Sequence, residues 1–157
     1  MMRVGIGYDA HRLAKGRRLV LGGVRIEHPL GLLGHSDADV ILHAIVDALL
    51  GAAGLADIGT YFSNAEPRWK NAASVLFLKE VSKIFSARKI KIINLDCVLL
   101  SEEPRISPYI PKMKARIAQA LGLRTQAIGI KASTNERMGF VGKKEGMAAT
   151  AVALIKV

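Results

Sequence analysis

Asp9 and His11, in the run Gly7-Tyr8-Asp9-Ala10-His11-Arg12-Leu13, stand two positions apart, and His43 follows in a segment patterned like a capped helix. On an extended strand, residues i and i+2 share a face about 7 Å apart, so a carboxylate and an imidazole can converge on one ion while a third ligand arrives from elsewhere. Three protein ligands leave one tetrahedral position open. That opening separates a catalytic zinc from a structural one, which four ligands, often cysteines, close. A satisfied surface histidine explains His43 taken alone; joined to Asp9-x-His11, metal ligation is the stronger reading.

Other residues suit anions. His35 and Ser36 precede the helix, where free amides and the positive end of the dipole favour phosphate, although Ser36 as a plain helix cap is an equal reading. The segment Lys131-Ala132-Ser133-Thr134-Asn135-Glu136-Arg137, followed by Gly139-Phe140-Val141-Gly142-Lys143-Lys144-Glu145-Gly146, gathers hydroxyls, an acid, glycines and lysines. It suits a phosphate cradle with a hard cation such as Mg²⁺ or Mn²⁺, or else a flexible basic turn. The Walker order is missing. His28, before Pro29, reads as a loop residue, and Cys97, within the apolar run 92–100, as a buried small hydrophobe.

The elements that must position these groups follow from periodicity. Arg3 to Asp9 patterns as a buried strand, and Arg18 to Ile26 as a strand region broken by Gly22-Gly23. A helix is expected from about Asp37, with Ser36 as N-cap, Asp39 in the capping-box position, and Gly51 and Gly54 as stops after Leu50. Ala38, Ile41, Leu42, Ile45 and Leu49 form its apolar stripe, leaving His43 on the flank. Asp39 and Asp47, one turn to either side, are candidates to accept the second imidazole proton of His43. A helix over Ala72 to Arg88, a strand over Ile90 to Leu100, a loop over Ser101 to Pro108, a helix over Pro111 to Leu121, and strands near 128–133 and 147–157 complete the pattern. Alternating strands and helices predict an α/β (α+β) fold with helices covering a sheet.

The 157 residues fit one domain, 1–157, with no linker. Hydrophobic residues reach 50% but aromatics only 5%, so the core is aliphatic, and the surplus fits either subunit contacts or a thick monomeric core. Lysine and arginine number 23 against 13 acids, giving +10, which fits phosphate-bearing ligands, nucleic acid or simply a solvated basic surface. A lone cysteine excludes an internal disulfide. No apolar segment follows a basic leader, so neither secretion nor membrane insertion is expected, and a cytoplasmic location is.

Four blocks, Gly7 to Leu13, Gly34-His35-Ser36-Asp37-Ala38-Asp39-Val40 with His43, Ala56-Asp57-Ile58-Gly59, and 131–146, are similar in order and spacing to the 2-C-methyl-D-erythritol 2,4-cyclodiphosphate synthase family, over nearly the whole chain. The resemblance implies conversion of 4-diphosphocytidyl-2-C-methyl-D-erythritol 2-phosphate to a cyclic diphosphate with loss of CMP, within the non-mevalonate isoprenoid pathway. It implies Zn²⁺ or another divalent transition metal on Asp9, His11 and His43, and Mg²⁺ or Mn²⁺ bridging substrate phosphates at Glu136. His35 and Thr134 are the implied catalytic residues. Asp57 and Gly59 match ribose-holding positions, with Ile58 between them, and Ser101 to Ser107, with Pro104, Arg105 and Ile106, matches the cytidine-binding stretch. Substrate contacts are further implied for Asp9, His11 and Ser36, for Phe62, Asn64 and Glu66, and for Ser133, Asn135, Phe140 and Lys143. The family's form is a homotrimer with its sheets toward the three-fold axis and active sites between subunits.

Departures from the family pattern are local. Asn64 stands in a stretch usually richer in aspartate, Ser133 and Asn135 flank Thr134 where threonines are common, and Lys143 replaces an arginine fork with a point charge. Two rivals from other classes make different demands. A nucleic-acid module needs aromatic platforms among its basic residues, and a zinc hydrolase needs a general base, for which only Asp39 and Asp47 stand near His43 in sequence.

Overall fold

Alternation governs the longest strand pair. The computed structural model describes residues 1–157. β1 (Met2–Ala14) and β7 (Gly146–Lys156) run antiparallel, with Gly7 opposite Ala151 and Asp9 opposite Ala149. β4 (Gly31–Leu32) flanks β1; β5 (Lys91–Leu100) pairs antiparallel with β7 and parallel with β6 (Ile128–Ser133), giving the order β4-β1-β7-β5-β6. β2 (Leu19–Leu21) and β3 (Val24–Ile26) form a separate hairpin. The helices are α1 (Val40–Ala52), α2 (Ile58–Tyr61), α3 (Val75–Ala87), α4 (Ile110–Leu121) and α5 (Gly139–Gly142). α1 packs on β1, β7 and β5, with α3 and α4 beyond it, so one aliphatic core spans the whole chain. No helix is long and apolar enough to cross a membrane.

The expected strand at Arg3 to Asp9 extends to Ala14 and is buried on one face only. Val4, Ile6 and Tyr8 on the other face are 68%, 71% and 57% exposed. Longer pairing with β7 carries the strand through His11, so Asp9 and His11 both lie within it rather than at its end.

α1 lies against β1 almost backbone to backbone. A side chain on Gly7 would meet the Ala44 carbonyl and the Ala48 amide (2.7 Å), and one on Gly5 would meet Ala48 and Ala52. Two strand residues advance about 7 Å and four helix residues about 6 Å, so the two elements keep step. Continuing that step, Asp9 falls opposite the first turns of α1, where His43 sits.

Three expectations for α1 change. It begins at Val40, its N-cap is Asp39 rather than Ser36, and it is buried on nearly every side, not along one stripe. Asp39 Oδ1 accepts from Leu42 N (3.1 Å) and Gly22 N (2.9 Å), and Oδ2 from Gly23 N (2.7 Å), so one buried carboxylate caps the helix and pins the β2–β3 turn. That turn requires positive φ at both glycines (58° and 73°), as a two-residue hairpin does. α3 starts at Val75 behind its N-cap residue Ser74, three residues later than expected.

Gly7→Val should push α1 off the sheet and lower stability by about 2 kcal/mol or more, through overpacking against backbone that cannot shift. Thermal melting measures it; an unchanged midpoint would contradict the tight helix–strand packing.

Candidate metal centre and anion pockets

Three donor atoms meet where α1 crosses β1. Asp9 Oδ2 lies 3.0 Å from His11 Nε2 and 3.0 Å from His43 Nδ1, and the two nitrogens are 3.2 Å apart. The edge of a tetrahedron with zinc bonds of about 2.0–2.1 Å is about 3.3–3.4 Å, so the trio fits one ion with small adjustment. These residues form a group able to hold a metal. The Asp-His-His set that the sequence resemblance implies is thus brought together by the fold.

Hydrogen bonds at the far side of each ring fix which nitrogen faces the site. His11 Nδ1 donates to Leu33 O (2.9 Å), leaving the Nε2 lone pair inward. Ser74 Oγ donates to Asp37 and so accepts from His43 Nε2 (2.8 Å), leaving His43 Nδ1 as the inward lone pair. Ser74 N binds the other Asp37 oxygen (3.0 Å), and Ser36 Oγ lies 3.2 Å from His43 Nε2. Such outer contacts hold ring and tautomer.

Neither acid expected to hold His43 does so. Asp39 is fully buried and bound to backbone amides; burial and the Asp37 charge push its carboxyl up against the pull of those donors. Asp47 accepts from Ile58 N (2.7 Å). Ser74 takes their place, and only proximity after folding reveals it, since it lies 31 residues from His43. His43 itself is buried rather than flanking, because α3 covers that side and brings Phe77 to 5.8 Å from its ring.

Burial raises the Asp9 carboxyl, but hydrogen bonds and attraction from both imidazoles outweigh it and hold Asp9 well below the usual carboxylate range. Burial favours neutral His11, yet its bond to Asp9 raises its pKa above the ordinary 6.5. The centre is thus a well for positive charge, in which a metal must displace protons.

A pocket of about 180 Å³ opens over the donors, lined also by His35, Ser36, Ile58, Gly59, Phe62 and Asn64. Phe62 stacks on Phe77 (4.6 Å between ring centroids) with Trp69 edge-on (5.2 Å), which gives it an apolar floor. His35 Nε2 and Trp69 Nε1 are buried without a hydrogen-bond partner, and both residues line this pocket. A buried polar nitrogen without a partner is costly, so a ligand group that accepts from Trp69 Nε1 or pairs with His35 Nε2 would relieve it. Nothing in the sequence marked Trp69.

A second pocket, about 320 Å³, joins Ser101, Pro104, Arg105, Ile106 and Ser107 to Ser133 and Thr134. Arg105 Nε donates to Ser107 Oγ (2.9 Å), and Ser101 Oγ to Glu103 O (2.6 Å). Glu102, overlooked in the sequence, ties the turn after β6 by accepting from Asn135 N (2.8 Å) and Arg137 N (3.4 Å). Glu136 and Arg137 adopt positive φ (49° and 62°) in that turn.

Within one chain the expected residues therefore divide between two pockets. Glu136 stands apart from the Asp9, His11 and His43 group, with Thr134 Oγ1 3.5 Å from its carboxylate. Asp57 caps α2 through Thr60 N (2.8 Å), Glu66 pairs with Arg68 (2.6 Å), and with Asn135, Glu136, Phe140 and Lys143 they line neither pocket. Cys97 is buried, with its thiol pushed up to about 12 by burial, so it is no nucleophile.

Fold and donors together define a single-domain α+β protein with a two-histidine, one-carboxylate group able to hold a metal, beside two pockets. The YgbB family model matches residues 2–156, and the chain belongs to that family. It is 52% identical over 155 residues to the 2-C-methyl-D-erythritol 2,4-cyclodiphosphate synthase of Chlorobaculum tepidum, covering 99% of each. A solved structure of 2C-methyl-D-erythritol-2,4-cyclodiphosphate synthase in its CDP-bound form superposes with a TM-score of 0.90 at 36% identity, over 98% of this chain and 100% of that one. The bifunctional IspDF of Campylobacter jejuni also scores 0.90, at 35% identity; 99% of this chain matches 42% of that one.

Ser74→Ala should keep the fold and weaken zinc binding by about 10- to 100-fold, while His43→Ala should abolish stoichiometric zinc. Equilibrium zinc titration checks both; wild-type affinity in Ser74→Ala would refute the outer-contact assignment.

Proposed function

We propose that the chain is a 2-C-methyl-D-erythritol 2,4-cyclodiphosphate synthase: it converts 4-diphosphocytidyl-2-C-methyl-D-erythritol 2-phosphate to the 2,4-cyclodiphosphate and CMP, in non-mevalonate isoprenoid synthesis. The observation that carries the reading is the convergence of Asp9 Oδ2, His11 Nε2 and His43 Nδ1 within 3.0–3.2 Å, in a chain 52% identical along its length to such a synthase.

The reaction is an in-line displacement. An oxygen of the substrate's 2-phosphate bonds to the β-phosphorus, the bond from that phosphorus to the bridging oxygen breaks, and CMP leaves with the electron pair. The nucleophile is already anionic, so the protein must fold the substrate and balance its charge rather than remove a proton. Asp9, His11 and His43 hold Zn²⁺ or another divalent transition metal, which when bound supplies Lewis acidity toward a phosphoryl oxygen. Glu136 would help to hold Mg²⁺ or Mn²⁺, which would supply further neutralisation of phosphate charge.

His35 donates its unpartnered Nε2–H to a phosphoryl oxygen, and Thr134 Oγ1 does the same from the second pocket, the roles that transition-state stabilisation requires. Ser36, Ile58, Gly59, Phe62 and Asn64 shape the wall around the erythritol phosphates, where the aromatic floor keeps water from the β-phosphorus. Ser101, Pro104, Arg105, Ile106 and Ser107, with Ser133 and Asn135, cradle the cytidine. Asp57, Glu66, Phe140 and Lys143 complete the contacts from outside these pockets.

A pocket of about 180 Å³ is too small for this substrate, because ligand pockets usually enclose roughly 300–1,000 Å³. The two pockets are half-sites, completed when a second copy brings its cytidine pocket to this chain's metal group. The exposed apolar face of Val4, Ile6, Tyr8 and Val152 supports association around a three-fold axis as a homotrimer, residues 1–157 acting as one domain. The reading includes a cytoplasmic location, without nucleic-acid or membrane partners. Its hydrolase rival lacks a base, since Asp39 and Asp47 are engaged by backbone amides.

Metal-loaded protein given the cytidine diphosphate substrate should release one CMP per cyclic diphosphate; a linear, water-opened product would favour hydrolysis instead. Mixing inactive His43→Ala with inactive Thr134→Ala chains, after dissociation and reassociation, should restore part of the wild-type rate. No recovery in mixed oligomers would refute the split site.

A further inference from the structure

The largest cavity, about 620 Å³, is neither of these pockets. Its wall carries Arg17, Arg18, Arg25 and Arg116, brought together from the loop after β1, the approach to β2, strand β3 and helix α4. Ser36 is shared with the metal pocket, but none of Asp9, His11 and His43 lines it.

The four guanidiniums have no carboxylate partner. The arginine and lysine ion pairs of the structure use Arg68, Lys83, Lys131 and Lys144. Arg17 is fixed by donating to three carbonyls, Leu32 O (3.1 Å), Gly34 O (3.2 Å) and Ser36 O (2.7 Å), which orient its charge without cancelling it. The stem of Arg116 passes over the Gly23 turn, which Asp39 pins in place. Asp37 is the cavity's one acid, and its oxygens are occupied by Ser74 N (3.0 Å), Ser74 Oγ and Asp39 N (3.3 Å).

We propose that this cavity is a second anion site, which binds the diphosphate group of a small ligand through Arg17, Arg18, Arg25 and Arg116. Arg18, Arg25 and Arg116 are exposed and free of salt bridges on the wall of one cavity, so a polyanion with several oxygens entering it can take charge-assisted bonds from more than one guanidinium fork. Scattered basic side chains on a convex surface would simply be hydrated; these line one concavity of a volume usual for a ligand pocket, about 300–1,000 Å³. No aromatic ring lines it, so recognition rests on phosphate oxygens and not on a stacked base.

Calorimetric titration of the full-length, zinc-loaded protein with inorganic pyrophosphate tests the site. Two binding events per chain are expected, one at the metal group and one here; His43→Ala removes the first, so that the two are read apart. Arg25→Gln combined with Arg116→Gln should weaken the second event on the order of tenfold or more, as loss of charge-assisted bonds does. Lys79→Gln combined with Arg88→Gln, an equal charge loss at exposed positions outside the cavity, should leave it unchanged. A second event that survives the arginine pair, falls equally with the control pair, or is missing from the wild type would overturn the proposal. A parallel titration with methyl diphosphate assigns the source: preference for it points to an esterified diphosphate, preference for the inorganic ion to free pyrophosphate, and either carries the site.

Discussion

The close approach of α1 to β1 is the constraint on which the rest depends. Glycines at positions 5 and 7 let helix backbone rest on strand backbone, so the relative register of the two elements is set by hard contact rather than by adjustable side chains. Once that register is set, one turn of helix and two residues of strand advance together, and His43 arrives at the same height as Asp9. Asp39 fastens the other side of the helix by holding the Gly22-Gly23 turn and the first turn of α1 with a single carboxylate. The metal group is therefore held by backbone packing as much as by its own side chains.

Electrostatics divides the molecule into regions of opposite need. At the Asp9 group, both imidazoles donate their outer N–H groups to fixed acceptors and point lone pairs inward, which creates demand for a cation. Around it, the buried nitrogens His35 Nε2 and Trp69 Nε1 lack a hydrogen-bond partner. On the proposed function, a metal-bound phosphate meets both demands in one partly enclosed pocket. The arginine cavity repeats the demand for an anion without the metal.

The grouping of Asp9, His11 and His43 was legible in the sequence because its signal is written at short range: an i, i+2 pair on a strand and a histidine near a helix start. The long strands and the three long helices were legible for the same reason, as periodicity survives burial. The N-cap was misplaced because Ser36 and Asp39 are equally good capping residues, and the choice between them is made by the hairpin turn, which needs a carboxylate two amides wide. The His43 partner was misassigned because sequence proximity favoured Asp39 and Asp47, whereas the fold brings Ser74 across from the start of α3. The uniform burial of α1 was hidden too, since α3 covers the face that a two-layer arrangement leaves open. The short elements β4, α2 and α5 carry no period long enough to detect, and their shape is imposed by neighbours.

X-ray absorption at the zinc edge measures the central claim directly, because it counts the atoms around the ion. Two imidazole nitrogens and oxygen donors at about 2.0–2.2 Å and no sulfur are expected, with one imidazole fewer in any zinc retained by His43→Ala. A sulfur scatterer, a shell without imidazole, or an unchanged spectrum in His43→Ala would contradict it.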